Sequence, residues 1–66
     1  MNIFVNKELL TIDEEITLQS LVDKLKINTK YIAIEINMVI VPKSQYEFYI
    51  VKNKDRIEII NAVGGG

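Results

Sequence analysis

Residues 2–5 alternate as Asn2, Ile3, Phe4, Val5, with Ile3 and Val5 on one face, and predict a strand. Asn6-Lys7-Glu8 is a polar turn and Leu9-Leu10-Thr11-Ile12 a returning strand, so the chain is expected to open with an antiparallel hairpin. After a charged break at Asp13-Glu14-Glu15 the period changes. Leu18, Leu21, Val22 and Leu25 stand at i, i+3, i+4 and i+7, a single stripe along a helix. Thr17 is placed to cap that helix by accepting from the backbone N–H of Gln19 or Ser20. Ile16 and Leu21 fit a hydrophobic staple, and Lys24 and Lys26 suit the negative end of the helix dipole. No glycine closes the helix, which makes Asn28 the expected left-handed exit residue.

Alternation returns over Tyr31-Ile32-Ala33-Ile34-Glu35-Ile36, with three isoleucines on one side, and predicts a second pair of strands with Val39-Ile40-Val41. The tight turn falls at Asn37-Met38, where methionine suits a type I′ turn poorly because both central residues need positive φ; a longer turn or another type is the expectation. Pro42 cannot donate to a ladder and marks the strand before it as short and at an edge. Lys43-Ser44-Gln45-Tyr46 reads as a 3₁₀ or helical turn. Residues 46–52 form an irregular stretch in which Phe48 and Ile50 are the expected core anchors. Asn53-Lys54-Asp55 then turns the chain into a last strand, Arg56-Ile57-Glu58-Ile59-Ile60, with Ile57 and Ile59 on one face.

A one-faced helix needs an apolar surface, and the strands supply it. The arrangement that buries every apolar face is a mixed sheet of four to five strands with one main helix across one side. The first and last strands lie parallel at its centre, joined by the long crossover that parallel neighbours require. This is an α+β fold, the β-grasp or ubiquitin-like roll, over residues 1–61.

The remaining residues, 62–66, are Ala62-Val63-Gly64-Gly65-Gly66. Consecutive glycines have nothing to bury and are costly to order, so a flexible C-terminal tail able to reach about 17 Å is expected to follow the strand. With no Cβ, such a thread fits a channel too narrow for other residues. The composition narrows what the tail can be for. The 66 residues include no cysteine and no histidine, so the chain has no thiol to carry sulfur and lacks the usual metal ligand and neutral-pH base. A net charge of -1 gives no reason to expect a nucleic-acid or anionic membrane partner. No stretch has the roughly 20 apolar residues of a spanning helix, and the start is unlike a signal peptide. A soluble protein that stays where it is made is expected: cytoplasmic, or in the plastid stroma if plastid-encoded.

Three stretches together resemble the ThiS-type sulfur carriers of thiamin biosynthesis: Asn37 with Val39-Ile40-Val41-Pro42-Lys43-Ser44-Gln45-Tyr46, then Asp55-Arg56-Ile57-Glu58-Ile59-Ile60, then Ala62-Val63-Gly64-Gly65-Gly66. The helix segment Thr17-Leu18-Gln19-Ser20-Leu21-Val22 also fits, so the resemblance spans nearly the whole chain. Met38 departs from the glycine that many members carry after the asparagine, and Tyr46 from a common tryptophan. The resemblance implies that an adenylating, E1-like enzyme uses ATP and Mg²⁺ to activate Gly66 as an acyl-adenylate. A persulfide donor then displaces AMP to leave a thiocarboxylate, and thiazole synthase receives the sulfur. Gly64 and Gly65 would thread the partner's channel. The chain would be a cosubstrate, binding no cofactor and no metal itself.

Phe4, Ile60 and Ala62 fall on the helix-free face of the central strands and form a candidate docking patch for the adenylating enzyme, unless residues 46–52 fold over it. Asp13, Glu14 and Glu15 read as a solvated loop favoured by the positive end of the helix; Lys43 and Arg56 read as solvated cations. Two other roles share the tail chemistry: the small subunit of molybdopterin synthase, and a modifier joined to lysines as ubiquitin is.

Overall fold

The computed structural model describes residues 1–61. Five strands form the main sheet: β1 (Asn2–Val5), β2 (Glu8–Thr11), β4 (Ile32–Ile36), β5 (Val39–Val41) and β7 (Arg56–Asn61), in the spatial order β2-β1-β7-β4-β5. β7 is central, parallel to β1 and antiparallel to β4. The helix α1 (Leu18–Lys24) contributes Leu18, Leu21 and Val22 to a core closed by Ile3, Ile34, Ile36 and Ile57 from the sheet. This is the expected β-grasp roll, with one helix and a mixed sheet of five strands.

The hairpins form as their patterns predict, because strand and turn signals are local. β5 is three residues long and lies at an edge, ending before Pro42. The Asn37-Met38 turn corrects expectation. It has two residues, with φ of 52° and 70°, so methionine does occupy a left-handed position. Met38 is 91% exposed, so its side chain meets no packing constraint there. Asn37 supplies the compensation: its N–H donates to Arg56 C=O at 2.8 Å, and its Oδ1 accepts from Arg56 N–H at 3.0 Å.

The helix exit is a second correction. Lys26, at φ 58°, is the left-handed residue; Asn28 is extended at φ −78° and caps the 3₁₀ turn Thr29–Tyr31. Lys26 N–H reaches Asp23 C=O at 3.1 Å and Ile27 N–H reaches Val22 C=O at 3.0 Å. These two bonds make a Schellman closure, with Ile27 packed on the core. The register that buries Ile27 puts the exit at Lys26 whatever its intrinsic preference. At the other end Thr17 Oγ1 accepts from Ser20 N–H at 3.1 Å, as the pattern predicts.

Residues 46–52 hold the third correction. Phe48 is 70% exposed and Ile50 is also exposed, whereas Tyr46 and Val51 are buried. Ile50 and Val51 form β6, antiparallel to β3 (Ile16–Thr17), in a separate two-stranded sheet. That pairing turns Val51 inward and Ile50 outward. It also places Ile16 in a strand against Val51, where it packs on the core from the sheet side. The segment then serves the helix: Leu18 N–H donates to Tyr49 C=O and Gln19 N–H to Tyr46 C=O, both at 2.8 Å. Those are first-turn donors with no partner inside α1. The stretch therefore packs at the N-terminal end of α1, and the opposite face of the sheet stays uncovered by it.

Candidate functional site

β7 is the last element among the described residues and the centre of the sheet, so the site is built around it. Its core face presents Ile57, nearly inaccessible to solvent, and the partly buried Ile59. Its outer face presents Arg56, Glu58 and Ile60. Asp55, just before the strand, is 7% exposed and fully engaged: Oδ1 accepts from Asn37 Nδ2 at 3.0 Å and Oδ2 from Lys52 N–H at 2.8 Å. Together with the Asn37 bonds to Arg56, this ties the start of β7 to the β4–β5 turn. At the far end, Ile59 N–H donates to Asn6 Oδ1 at 2.7 Å. Asn6 itself sits in the β1–β2 turn at φ 49°.

Of the proposed docking residues, Phe4 and Ile60 share the outer face, and Ile60 is 46% exposed. They are not adjacent. Phe4 pairs with Arg56, and Ile60 lies four residues further along β7, about 13 Å at the usual strand rise. Glu58 and, on β4, Glu35 stand between them. Ile60 instead neighbours Ala33, while Phe4 neighbours Leu9. Beside Phe4 an open hollow of about 270 Å³ is lined by Phe4, Lys7, Arg56, Ile57 and Glu58, so Arg56 borders a concave surface. Ala62, Gly64, Gly65 and Gly66 lie outside the described residues.

Lys43 is held: its Nζ donates to Lys30 C=O at 3.2 Å. Asp13, Glu14 and Glu15 are exposed in the loop ahead of β3 and the helix, as expected, and with Lys24 they line a shallow hollow. Among the described residues no group of acidic side chains is arranged to hold a metal ion, and no helix is long and apolar enough to cross a membrane. Burial raises the Tyr46 hydroxyl above its ordinary pKa of 10.0, and burial followed by the charge of Asp55 raises Tyr49.

Sequence reasoning missed the two asparagines that clasp β7. Both were visible only as turn residues. Their signal is that each opens a two-residue break between strands, where asparagine tolerates positive φ and has a carboxamide to spare.

Comparison with known proteins places this geometry. Residues 2–66 match the ThiS family. The chain is 36% identical over 66 residues to the ycf40 protein of Porphyra purpurea, covering 100% of this chain and 93% of that one. It is 33% identical over 66 residues to a thiazole synthase of Paramagnetospirillum magneticum, where the match spans this whole chain but 20% of that longer protein. The crystal structure of the thiamine biosynthesis protein ThiS from Geobacter metallireducens aligns with a TM-score of 0.88 at 29% identity, covering 100% of both chains.

Proposed function

The chain belongs to the ThiS family of ubiquitin-like sulfur carriers, and on that premise we propose that it carries sulfur for thiazole formation in thiamin biosynthesis, bound at the carboxyl group of Gly66. The observation that carries this reading is the family match, which runs through residue 66, on a fold that aligns along its whole length with a ThiS protein.

A carboxylate resists nucleophiles because its charge repels them and oxide is a poor leaving group. Adenylation removes both obstacles. A partner enzyme transfers AMP from Mg²⁺-bound ATP to Gly66, and pyrophosphate leaves. The terminal sulfur of a persulfide attacks the acyl carbon and AMP departs, leaving an acyl disulfide. A thiol then cleaves the S–S bond, departs as a disulfide with the donor, and frees the thiocarboxylate. Thiazole synthase takes the sulfur. Gly64 and Gly65 thread the partner's narrow channel.

Docking of the adenylating enzyme is assigned to the outer face near the root of the tail, at Ile60 with Ala62, with Phe4 as a second contact at the other end of that face. Ile60→Asp leaves the fold intact, because its side chain points away from the core, and lowers the rate of adenylation at least tenfold, read as pyrophosphate release. An unchanged rate overturns the docking assignment.

The function itself is tested by the intact mass of the chain before and after incubation with ATP, an adenylating partner and a persulfide donor. A gain equal to exchanging one oxygen for sulfur, mapped to Gly66, is expected. An unchanged mass with an active partner overturns it.

A further inference from the structure

β1 and β7 form a parallel ladder that stops early. Phe4 N–H donates to Asp55 C=O at 2.9 Å and Asn6 N–H to Ile57 C=O at 2.8 Å. The odd-numbered residues of this stretch therefore turn their backbone groups toward β1, and the even-numbered ones toward β4. The next donor, Ile59 N–H, is met by the Asn6 side chain in place of a backbone carbonyl. At that point the first strand has turned away: Lys7 is at φ 69° and Glu8 begins β2. β7 nevertheless continues to Asn61, held on its other side by Ile32 and Ala33 of β4. By the alternation, Ile59 C=O and Asn61 N–H face the side that β1 has left, and among the described residues the structure gives them no hydrogen-bond partner. A carbonyl and the N–H two residues on are the pair that embraces one residue of a parallel strand.

The space beside this open rung is a groove of about 400 Å³. Its apolar walls are Val5, Ile27, Ile32 and Ile59, and the carboxamide residues Asn6, Asn28 and Asn61 stand at its margin. A strand laid along the rung would direct alternate side chains onto the core-facing side of the sheet, where the groove accepts a branched aliphatic group.

We propose that this open rung is a strand-addition site for thiazole synthase: an extended segment of that enzyme, carrying a branched aliphatic residue, lies parallel to β7 in the position β1 vacates and docks at the root of the tail. The backbone groups select an extended peptide over any other occupant, since only a strand offers a donor and an acceptor at that spacing. The Paramagnetospirillum magneticum thiazole synthase, which holds a ThiS-like stretch within one polypeptide, directs the choice of partner. The assignment rests on the sulfur-carrier reading and gives it a docking contact distinct from the outer face. The addition also explains why the end of β7 carries an uncapped donor so close to the reactive end, where an exposed strand edge is a liability unless it is used.

The test uses the full chain and the thiazole synthase of the same organism. In the saturated complex, hydrogen exchange at the Asn61 amide slows at least tenfold relative to the free chain. Asn61→Pro removes that edge-facing donor together with the carboxamide, and Asn61→Ala removes the carboxamide alone; both leave the β4–β7 bonds in place, and only the proline variant weakens binding about tenfold, with the amide spectrum of the domain retained. Unchanged Asn61 exchange in a saturated complex, a proline variant that binds as the unaltered chain does, or no complex at all overturns the inference. The mass gain at Gly66 is read separately on the unaltered chain, so a failed docking contact and a failed sulfur-carrier reading give different results.

Discussion

Two asparagines, Asn37 and Asn6, hold opposite ends of the same strand from equivalent positions, and they hold them differently. Each opens a two-residue turn with positive φ at both positions, and each lends its Oδ1 to a backbone N–H of β7. Each also donates its backbone N–H to a β7 carbonyl, Asn37 to Arg56 and Asn6 to Ile57; Asn37 alone adds an amide bond to the nearly inaccessible carboxylate of Asp55. Asn6 meets one donor through its side chain and leaves the following rung open. The same residue in the same kind of turn makes a lock at one end and a stopper at the other. What separates them is the neighbour: a buried acid beside Asn37, a strand that has already ended beside Asn6. The strand is anchored where it enters the domain and left accessible where it leaves toward the glycines.

The comparison breaks most readily at the anchored end. Asn37→Ala removes bonds to both Asp55 and Arg56 and strips one partner from a buried carboxylate, at a cost of about 2–3 kcal/mol in a urea melt. Asn6→Ala costs about 1 kcal/mol, and its clearer mark is faster exchange of the Ile59 amide with the Arg56 amide unaffected. If the two variants lose equal stability, the asymmetry of the two ends is not real. Met38→Gly and Lys7→Gly relieve left-handed non-glycine residues at the two turns and are each expected to stabilise by about 0.5–1 kcal/mol in the same melt, since neither side chain is buried.

The smallest effect is a pH dependence. Tyr46 and Tyr49 have hydroxyl pKa values raised in the folded chain. Their contribution is complete below the ordinary value of 10.0 and is lost as pH rises through the folded values, because the folded state then holds a proton that the unfolded state has released. Stability should decline above about pH 10, and Tyr49→Phe should flatten part of that decline without changing stability at pH 7. A decline that is the same in Tyr46→Phe and Tyr49→Phe as in the unaltered chain assigns it elsewhere.

What the sequence made legible was local and periodic. The stripe Leu18, Leu21, Val22 shows the helix face, and the alternation through Ile34 and Ile36 shows the sheet face, because each period is written by side chains that all meet the same core. The central parallel pair was legible as the natural arrangement for one helix across one sheet, with a crossover long enough to join parallel neighbours. The illegible parts are those set by distant neighbours. Ile50 and Val51 are too few to show a period, and only the pairing with Ile16 and Thr17 decides which faces inward. Lys26 takes a left-handed backbone because burial of Ile27 requires the exit there, against its own preference. Phe4 and Ile60 share a face, as their parity in the chain indicates, but the register that separates them is set by where β1 meets β7, which no local pattern records.

The strand order has a consequence for how the protein is made. β7, at the middle of the sheet, is synthesised after both hairpins and the helix. Until residues 56–61 emerge, β1 and β4 have no common neighbour and Ile3 and Ile34 have no Ile57 between them. The pairings of β7 with β1 and β4, which join the two hairpins, must therefore wait for this strand, which favours late and all-or-none folding over growth from the N-terminus. A chain halted before Arg56 lacks the centre of its sheet and is left to degradation. The supply of folded carrier is thereby restricted to chains that have been read as far as the strand that leads into the glycines.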